Sequence, residues 1–288
     1  MDPLAHLLAT VHIGMSPNMI HVGGLKITWH SFFMAVGTLI AVYLSIRWGR
    51  DAGLAEDVMP NVAIWAVIGG LIGARVVNVI DDWAFYKNNI RQIFEIWNGG
   101  IGVYGAFIGG LIAGLIVATI EKYPRTLLMD LIAPTMILAQ AIGRLGDIIN
   151  GEHFAKATSL PWGVVYTSPD SPGYDYSNAN GPWHPAVAYE LFADLAIFGI
   201  LMALRKRLEP RGVIFALMAF LYSGIRLGFS FLRLDSISDI FGMNQQQFIS
   251  LVILILSAAW LVYLRPHLGD GSKPARPKVE TAPAGPGN

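Results

Sequence analysis

There is no cysteine among the 288 residues, which excludes disulfides, thiolate metal sites, a catalytic thiol and a lipid-modified cysteine on the chain itself. Any sulfur chemistry belongs to a substrate. Charge is scarce too, since 14% of the side chains are Asp, Glu, Lys or Arg, well below the share in soluble domains. Neither sign prevails, because 20 basic residues face 20 acidic ones, and without a basic excess nothing is available to hold a nucleic-acid backbone. The first 26 residues, with Asp2, Pro3 and Pro17, lack the basic-then-apolar order of a cleaved signal peptide. The first apolar stretch is therefore expected to remain in the mature protein. What fills the chain is apolar side chains, 54% of the total, the composition of a membrane protein.

A helix crossing hydrocarbon needs about 20 mostly apolar residues, because only internal hydrogen bonds satisfy its backbone there. Seven stretches qualify: 27–48, 61–80, 101–120, 127–149, 185–204, 213–232 and 247–264. Gly69 with Gly73, Gly105 with Gly109 and Gly110 with Gly114 have the small-xxx-small spacing that lets two helices approach closely. Cytoplasmic loops collect Lys and Arg, and 12 cations fall on one side of these spans against five on the other, namely Lys26, Lys87, Arg91, Lys156 and Arg233. The expected fold is an all-α integral membrane protein with seven transmembrane helices over 1–264, its N-terminus outside and its C-terminus cytoplasmic. A small extracytoplasmic head is expected between helices 4 and 5, at about 150–184, where turn formers crowd 167–181. The Pro- and Gly-rich stretch 265–288 is expected to be a disordered cytoplasmic tail.

The three remaining cations, Arg75, Arg144 and Arg226, lie within the second, fourth and sixth spans, each in the outer half. An arginine at bilayer depth costs about 2.5–3.5 kcal/mol and tends to face a cavity or pathway. One explanation is local: each snorkels or pairs with a carboxylate, with Asp147, Glu152 and Glu190 as candidate partners. The other is a shared anionic ligand, because the guanidinium fork matches phosphate oxygens bidentately and stays charged when desolvated. At this depth that ligand is a phospholipid headgroup. His30, Ser31, Tyr104, Asp147, Asn150 and Glu152 fall at the same level. For His30 the competing role is a packed, hydrogen-bonded histidine, and for Tyr104 it is a place in the interfacial aromatic belt with Trp29, Trp97, Trp162 and Trp183. The seven histidines show no paired ligand spacing, so no metal and no cofactor is implied.

The segment GRLGDIINGE at 143–152 resembles the signature GR-x-GNF-x-NGE of the prolipoprotein diacylglyceryl transferases. The resemblance continues in order through ITWHSF at 27–32, IWNGGIGVYGAFIGG at 96–110, LPWGVVY at 160–166, WHPAVAYE at 183–190, YSGIRLGFSFLR at 222–233 and GMNQQQFIS at 242–250. It implies a seven-span enzyme of the bacterial inner membrane with its N-terminus outside. The reaction it implies moves the diacylglyceryl group of phosphatidylglycerol onto the lipobox cysteine of a preprolipoprotein, forming a thioether and releasing glycerol phosphate. By the same resemblance Arg144 and Arg226 are the phosphate-binding arginines and Glu152 the essential carboxylate, its alternative being a salt bridge to Arg144. The implied catalytic set is His30, Tyr104, Glu152, Arg144 and Arg226. The implied headgroup set is Arg144, Arg226, Arg75, Asp147, Asn150, Tyr222 and Arg233.

Several positions depart from the pattern. His30 stands where the best-known members have Tyr, and Tyr104 where many have His, so the two types look exchanged. An imidazole that deprotonates the thiol would then come from the first span, with His30 and Tyr104 facing one cavity. Asp147 replaces the signature Asn and places a negative charge three residues from Arg144, where it can weaken phosphate binding. Ala155 replaces a Gly, and Ser230 the Glu of the sixth-span motif. These departures leave open a relative that binds an anionic phospholipid with altered or lost catalysis. An anion transporter or channel is a further class, disfavoured by an odd span count and the lack of an inverted repeat.

Overall fold

The computed structural model describes residues 10–22, 25–95, 100, 102–234, 239–240 and 242–268. The chain is mostly helical. Its long helices are α1 (Trp29–Asp51), α2 (Val58–Asp81), α3 (Val103–Ile120), α4 (Arg125–Asn150), α6 (Ala186–Leu204), α7 (Val213–Ser230) and α8 (Gln245–Leu264), with a short α5 (Gly173–Asn180) between α4 and α6. Six of them, all but α3 and α5, are long and apolar enough to cross a membrane, and α3 contributes a shorter apolar stretch, Gly105–Ile120. Helix α8 starts two residues before the expected span because Asn244 caps it. The Asn244 Oδ1 accepts from the Gln247 amide at 2.8 Å, while the Gln247 Oε1 accepts from the Asn244 amide at 3.1 Å.

The expectation of an all-helical chain needs correction. Four two-stranded sheets occur among the described residues: β1 (Val11–Ile13) with β4 (Val164–Tyr166), β2 (Asn18–Val22) with β3 (Leu25–Thr28), β5 (Leu208–Glu209) with β8 (His267–Leu268), and β6 (Asp239–Ile240) with β7 (Met243–Asn244). The β5–β8 pair carries order to Leu268, inside the stretch expected to be a tail. Residues 269–288, the rest of that stretch, lie outside the described residues.

The chain divides into two compact units, one of residues 1–41 with 132–272, the other of 42–131 with 273–288. In the first, Ala133 and Ile137 of α4, Ile197 and Leu201 of α6, and Ile214 and Met218 of α7 form a buried cluster. The segment after α4 has its own small core. Trp183 is only 2% exposed and packs on Val164, Tyr166, Phe154 and Tyr176, so it is a core residue and not the interfacial ring expected of it. Strand β1 pairs in parallel with β4 and so joins this core. The turn formers at 167–181 contain the α5 helix, since Ser171 donates to the Asn150 carbonyl and Ser177 accepts from the Tyr166 amide.

In the second unit the paired glycines do what their spacing predicts. A Cβ on Gly69 would sit 2.7 Å from the Gly109 carbonyl oxygen, and one on Gly73 would collide with the Gly105 carbonyl. Helices in lipid gain little from the hydrophobic effect and associate through such close packing. Gly109→Leu is expected to part α2 from α3 at a cost of about 1–3 kcal/mol or more, read as a lower thermal unfolding midpoint in detergent.

Candidate active site

Three glycines bring α1 and α4 together in the first unit. A Cβ on Gly37 would stand 2.7 Å from the Ala139 carbonyl oxygen, one on Gly143 would meet Met34 Sδ at 2.7 Å, and one on Gly146 would reach 2.5 Å from His30 Cα. Gly146 thus seats the first turn of α1 against the last turns of α4. The contact it allows is between side chains 117 positions apart: His30 Nδ1 lies 2.6 Å from Asp147 Oδ1.

Helix α4 ends at Asn150 because Gly151 takes φ +76°, a conformation that costs glycine little. The Gly151 amide caps the helix by donating to the Asp147 carbonyl at 3.0 Å. The chain then doubles back, and His153 Nε2 comes within 3.7 Å of Asp147 Oδ2 and 3.9 Å of Glu152 Oε1. Arg233 Nη2 is 2.8 Å from His153 Nδ1. Because a guanidinium only donates, Nδ1 accepts this bond and the neutral ring carries its proton on Nε2.

The arginines converge on Glu190 of α6, whose side chain is 3% exposed. Arg144 Nη2 lies 2.7 Å from its Oε2, Arg233 Nη1 lies 3.1 Å from Oε1, and Arg226 Nη1 donates to Oε1 as well. Arg144 also reaches Asp147 Oδ2 with Nη1 at 3.2 Å, and its Nε stands 4.0 Å from Asp194 Oδ2 with no hydrogen-bond partner among the described residues. Asp194 accepts from Gln140 at 3.2 Å. Of the three guanidinium groups Arg226 is the most accessible, its side chain 13% exposed against 2% for Arg233. The result is a closed circuit, His30–Asp147–Arg144–Glu190–Arg233–His153, that returns to Asp147.

Sequence reasoning named most of this circuit. It offered Glu190 only as a possible partner of an arginine and gave no role to His153 or Asp194. A signal existed, because Glu190 and Asp194 are carboxylates four residues apart in an otherwise apolar span and share a helix face. Glu152 is not the partner of Arg144. The described carboxylates nearest that arginine are Asp147, Glu190 and Asp194, while Glu152 remains 45% exposed beside His153. Tyr222 lies on α7 four residues before Arg226, on the same helix face. Asn150 offers its carbonyl to Ser171. Ser230, at the position of the family's Glu, turns its hydroxyl to the Leu227 carbonyl at 2.5 Å.

Arg75 is engaged within the second unit. Its Nε donates to the Ile93 carbonyl at 2.8 Å, Nη1 to Gly100 at 2.9 Å and Nη2 to the Gln92 carbonyl, with the guanidinium over the Tyr86 ring. Three of its donors therefore hold the backbone at Gln92, Ile93 and Gly100. The side chain of Tyr104 lies outside the described residues, as does Trp97, so the expected cavity shared by His30 and Tyr104 falls outside them too.

Spacing along the chain gave no metal site, yet folding brings donor atoms of His30, Asp147 and Glu152 within 4.8 Å of one another. Asp147 already accepts from His30 and faces Arg144, whose positive charge opposes a cation there. His153 also lines an apolar cavity of about 500 Å³ with Val11, Trp162, Tyr189 and Phe192, so this volume borders the circuit directly. Burial of Tyr166, on the wall of that cavity, raises its phenol pKa, with the Asp147 charge adding to the effect. It therefore stays protonated and donates to the Ile148 carbonyl at 2.7 Å.

The model of the family described as prolipoprotein diacylglyceryl transferase matches residues 17–263. The chain belongs to this family. It is similar to proteins named phosphatidylglycerol–prolipoprotein diacylglyceryl transferase from several bacteria. With that of Trichormus variabilis it is 34% identical over 267 residues, covering 89% of this chain and 92% of the relative. With that of Clostridioides difficile it is 34% identical over 241 residues, covering 84% and 92%. The Staphylococcus aureus (strain Newman) protein is 33% identical over 254 residues, covering 87% and 90%. The matched span of the family contains every member of the charged circuit, from His30 to Arg233.

Proposed function

We propose that the chain transfers the diacylglyceryl group of phosphatidylglycerol to the lipobox cysteine thiol of a preprolipoprotein, forming a thioether and releasing glycerol phosphate. One observation carries this reading: three guanidinium groups gathered on one buried carboxylate among apolar helices, in a chain of this family. In this reading the protein lies in a bacterial inner membrane with α3 as the seventh span. Its N-terminus and the 150–184 head are outside, 265–288 cytoplasmic, and the circuit sits in the outer half of the bilayer.

The chemistry follows from what each group can hold. A thiol of pKa about 8.5 must lose its proton before it attacks, and His30, half-buried at the first turn of α1, is the base we assign. The thiolate attacks the glyceryl carbon that bears the phosphate. A carbon–sulfur bond forms, the carbon–oxygen bond breaks, and its electron pair stays on the phosphate oxygen. A phosphodiester with one negative charge thus becomes a monoester with a second. Fixed cations at that oxygen lower the barrier because they need not reorganise. Arg226 supplies the accessible guanidinium and Arg144 a second, and Glu190 keeps the like charges together. Tyr222 and Asn150 flank the headgroup, and Glu152 faces the glycerol hydroxyl. Arg233 acts by holding Glu190 and His153, and Arg75 by holding the Gln92, Ile93 and Gly100 carbonyls of its own unit.

Purified protein given phosphatidylglycerol and a lipobox peptide should add a diacylglyceryl group to the peptide, seen by mass spectrometry, with glycerol phosphate released in equal amount. Lipid bound without release would instead indicate a relative that has lost the chemistry. His30→Phe is expected to lower turnover about 10²–10⁴-fold at neutral pH, the usual contribution of a general base. Unchanged turnover would remove His30 from the mechanism.

A further inference from the structure

A histidine is a dependable base only if the nitrogen facing the proton is the unprotonated one, and a second group must impose that choice. The His30 side chain is 38% exposed and its Nδ1 lies 2.6 Å from Asp147 Oδ1. A carboxylate oxygen accepts, so Nδ1 carries the hydrogen and Nε2 keeps its lone pair on the other side of the ring.

Asp147 is in turn held from three directions. Arg144 Nη1 lies 3.2 Å from its Oδ2, His153 Nε2 lies 3.7 Å from the same oxygen, and Gly146 beside it allows the approach of α1. The charged and titratable groups that face the pair are Arg144 and Tyr166 toward Asp147, Glu152 toward His30, and His153 toward both. We propose that Asp147 is the positioning residue of a His30–Asp147 pair that fixes the Nδ1–H tautomer, so that Nε2 takes the thiol proton of the incoming cysteine. The substrate sulfur thereby completes a Cys–His–Asp arrangement of which the protein holds only two members. This deepens the transferase reading and rests on it. The proton passes from sulfur to His30 Nε2 as the carbon–sulfur bond forms and the phosphate oxygen departs with its electrons, and it leaves His30 for the released monoester or water. The Asp147 carboxylate keeps its charge throughout.

The same assignment gives Asp147 a reason to be Asp. An Asn side chain at this position could present its amide nitrogen to His30 and select the opposite tautomer. A carboxylate whose purpose was to quench Arg144 would act instead on headgroup binding.

The test uses the full-length protein in detergent with phosphatidylglycerol and a lipobox peptide, comparing Asp147→Asn, His30→Phe and the double variant between neutral pH and pH about 9. Asp147→Asn is expected to lower kcat at neutral pH about 10²-fold or more with KM for phosphatidylglycerol nearly unchanged. The deficits of both single variants should shrink as pH passes the thiol pKa of about 8.5, because the substrate then ionises unaided. In the His30→Phe background Asp147→Asn should cost nothing further. Gly146→Ala, which keeps both side chains but crowds His30 Cα, should reproduce the kcat loss and its alkaline recovery. A rise in KM with kcat kept, additive losses in the double variant, or no alkaline recovery would overturn the pairing while leaving the transferase reading intact. Loss on chelation that zinc restores would overturn it in favour of a cation held by His30, Asp147 and Glu152. Failure of the unaltered protein to modify the peptide would sink the transferase reading itself.

Discussion

Arg144→Ala is expected to abolish transfer, with a loss of at least about 10²–10³-fold from the missing cation at the departing phosphate oxygen. The effect reaches further than one donor. Arg144 touches Asp147 at 3.2 Å and Glu190 at 2.7 Å, with Asp194 at 4.0 Å from its Nε. Its removal leaves buried carboxylates whose charges no longer have a shared counter-ion. Arg144→Lys separates the two consequences. A lysine restores charge near these carboxylates, so thermal stability should recover in part. An ammonium cannot meet Glu190 and Asp147 at once with a planar fork, so activity should stay low. Equal recovery of stability and of activity would show that position 144 needs only a positive charge. The readouts are the unfolding midpoint in detergent and the rate of peptide modification by mass spectrometry.

Glu190→Gln is expected to be the most destabilising change in the circuit that alters no shape. It removes the charge on which Arg144, Arg226 and Arg233 converge and leaves guanidinium groups crowded in an apolar setting. Breaking a buried pair by deleting one partner costs about 3–5 kcal/mol, and here three guanidinium groups lose the same counter-charge, with one amide oxygen left to accept. Unfolding should therefore shift well below that of the unaltered protein, with transfer lost in the sample that remains folded. Glu152→Gln offers the contrast. Its carboxylate is 45% exposed, so its loss should leave the midpoint nearly unchanged while lowering turnover through the glycerol contact proposed for it. A large stability loss in Glu152→Gln, or none in Glu190→Gln, would exchange the roles assigned to the two carboxylates.

Features that depend on neighbours along the chain are legible in the amino-acid order. Hydropathy over windows of about 20 residues located the apolar helices, because in lipid the backbone must satisfy itself within each segment. The glycine spacing of α2 and α3 announced close packing, since residues four apart share a helix face. The signature at 143–152 points to Arg144, Asp147 and Glu152, and the motif at 222–233 to Arg226 and Arg233.

Which charge meets which is set by the packing of distant helices. Glu190 and Arg233 are 43 positions apart, and His30 and Asp147 are 117 apart. No local period encodes such pairings. They depend on helix approach, which at Gly146 is a matter of one absent methyl group. Folding turned Asp147 from a neutraliser of Arg144 into a residue shared by Arg144 and His30, and moved Trp183 from an expected membrane interface into a core. It also committed Arg75 to backbone carbonyls. A buried polar group accepts whatever complementary partner the packed helices bring within reach, so its partner belongs to the fold and not to its place in the chain.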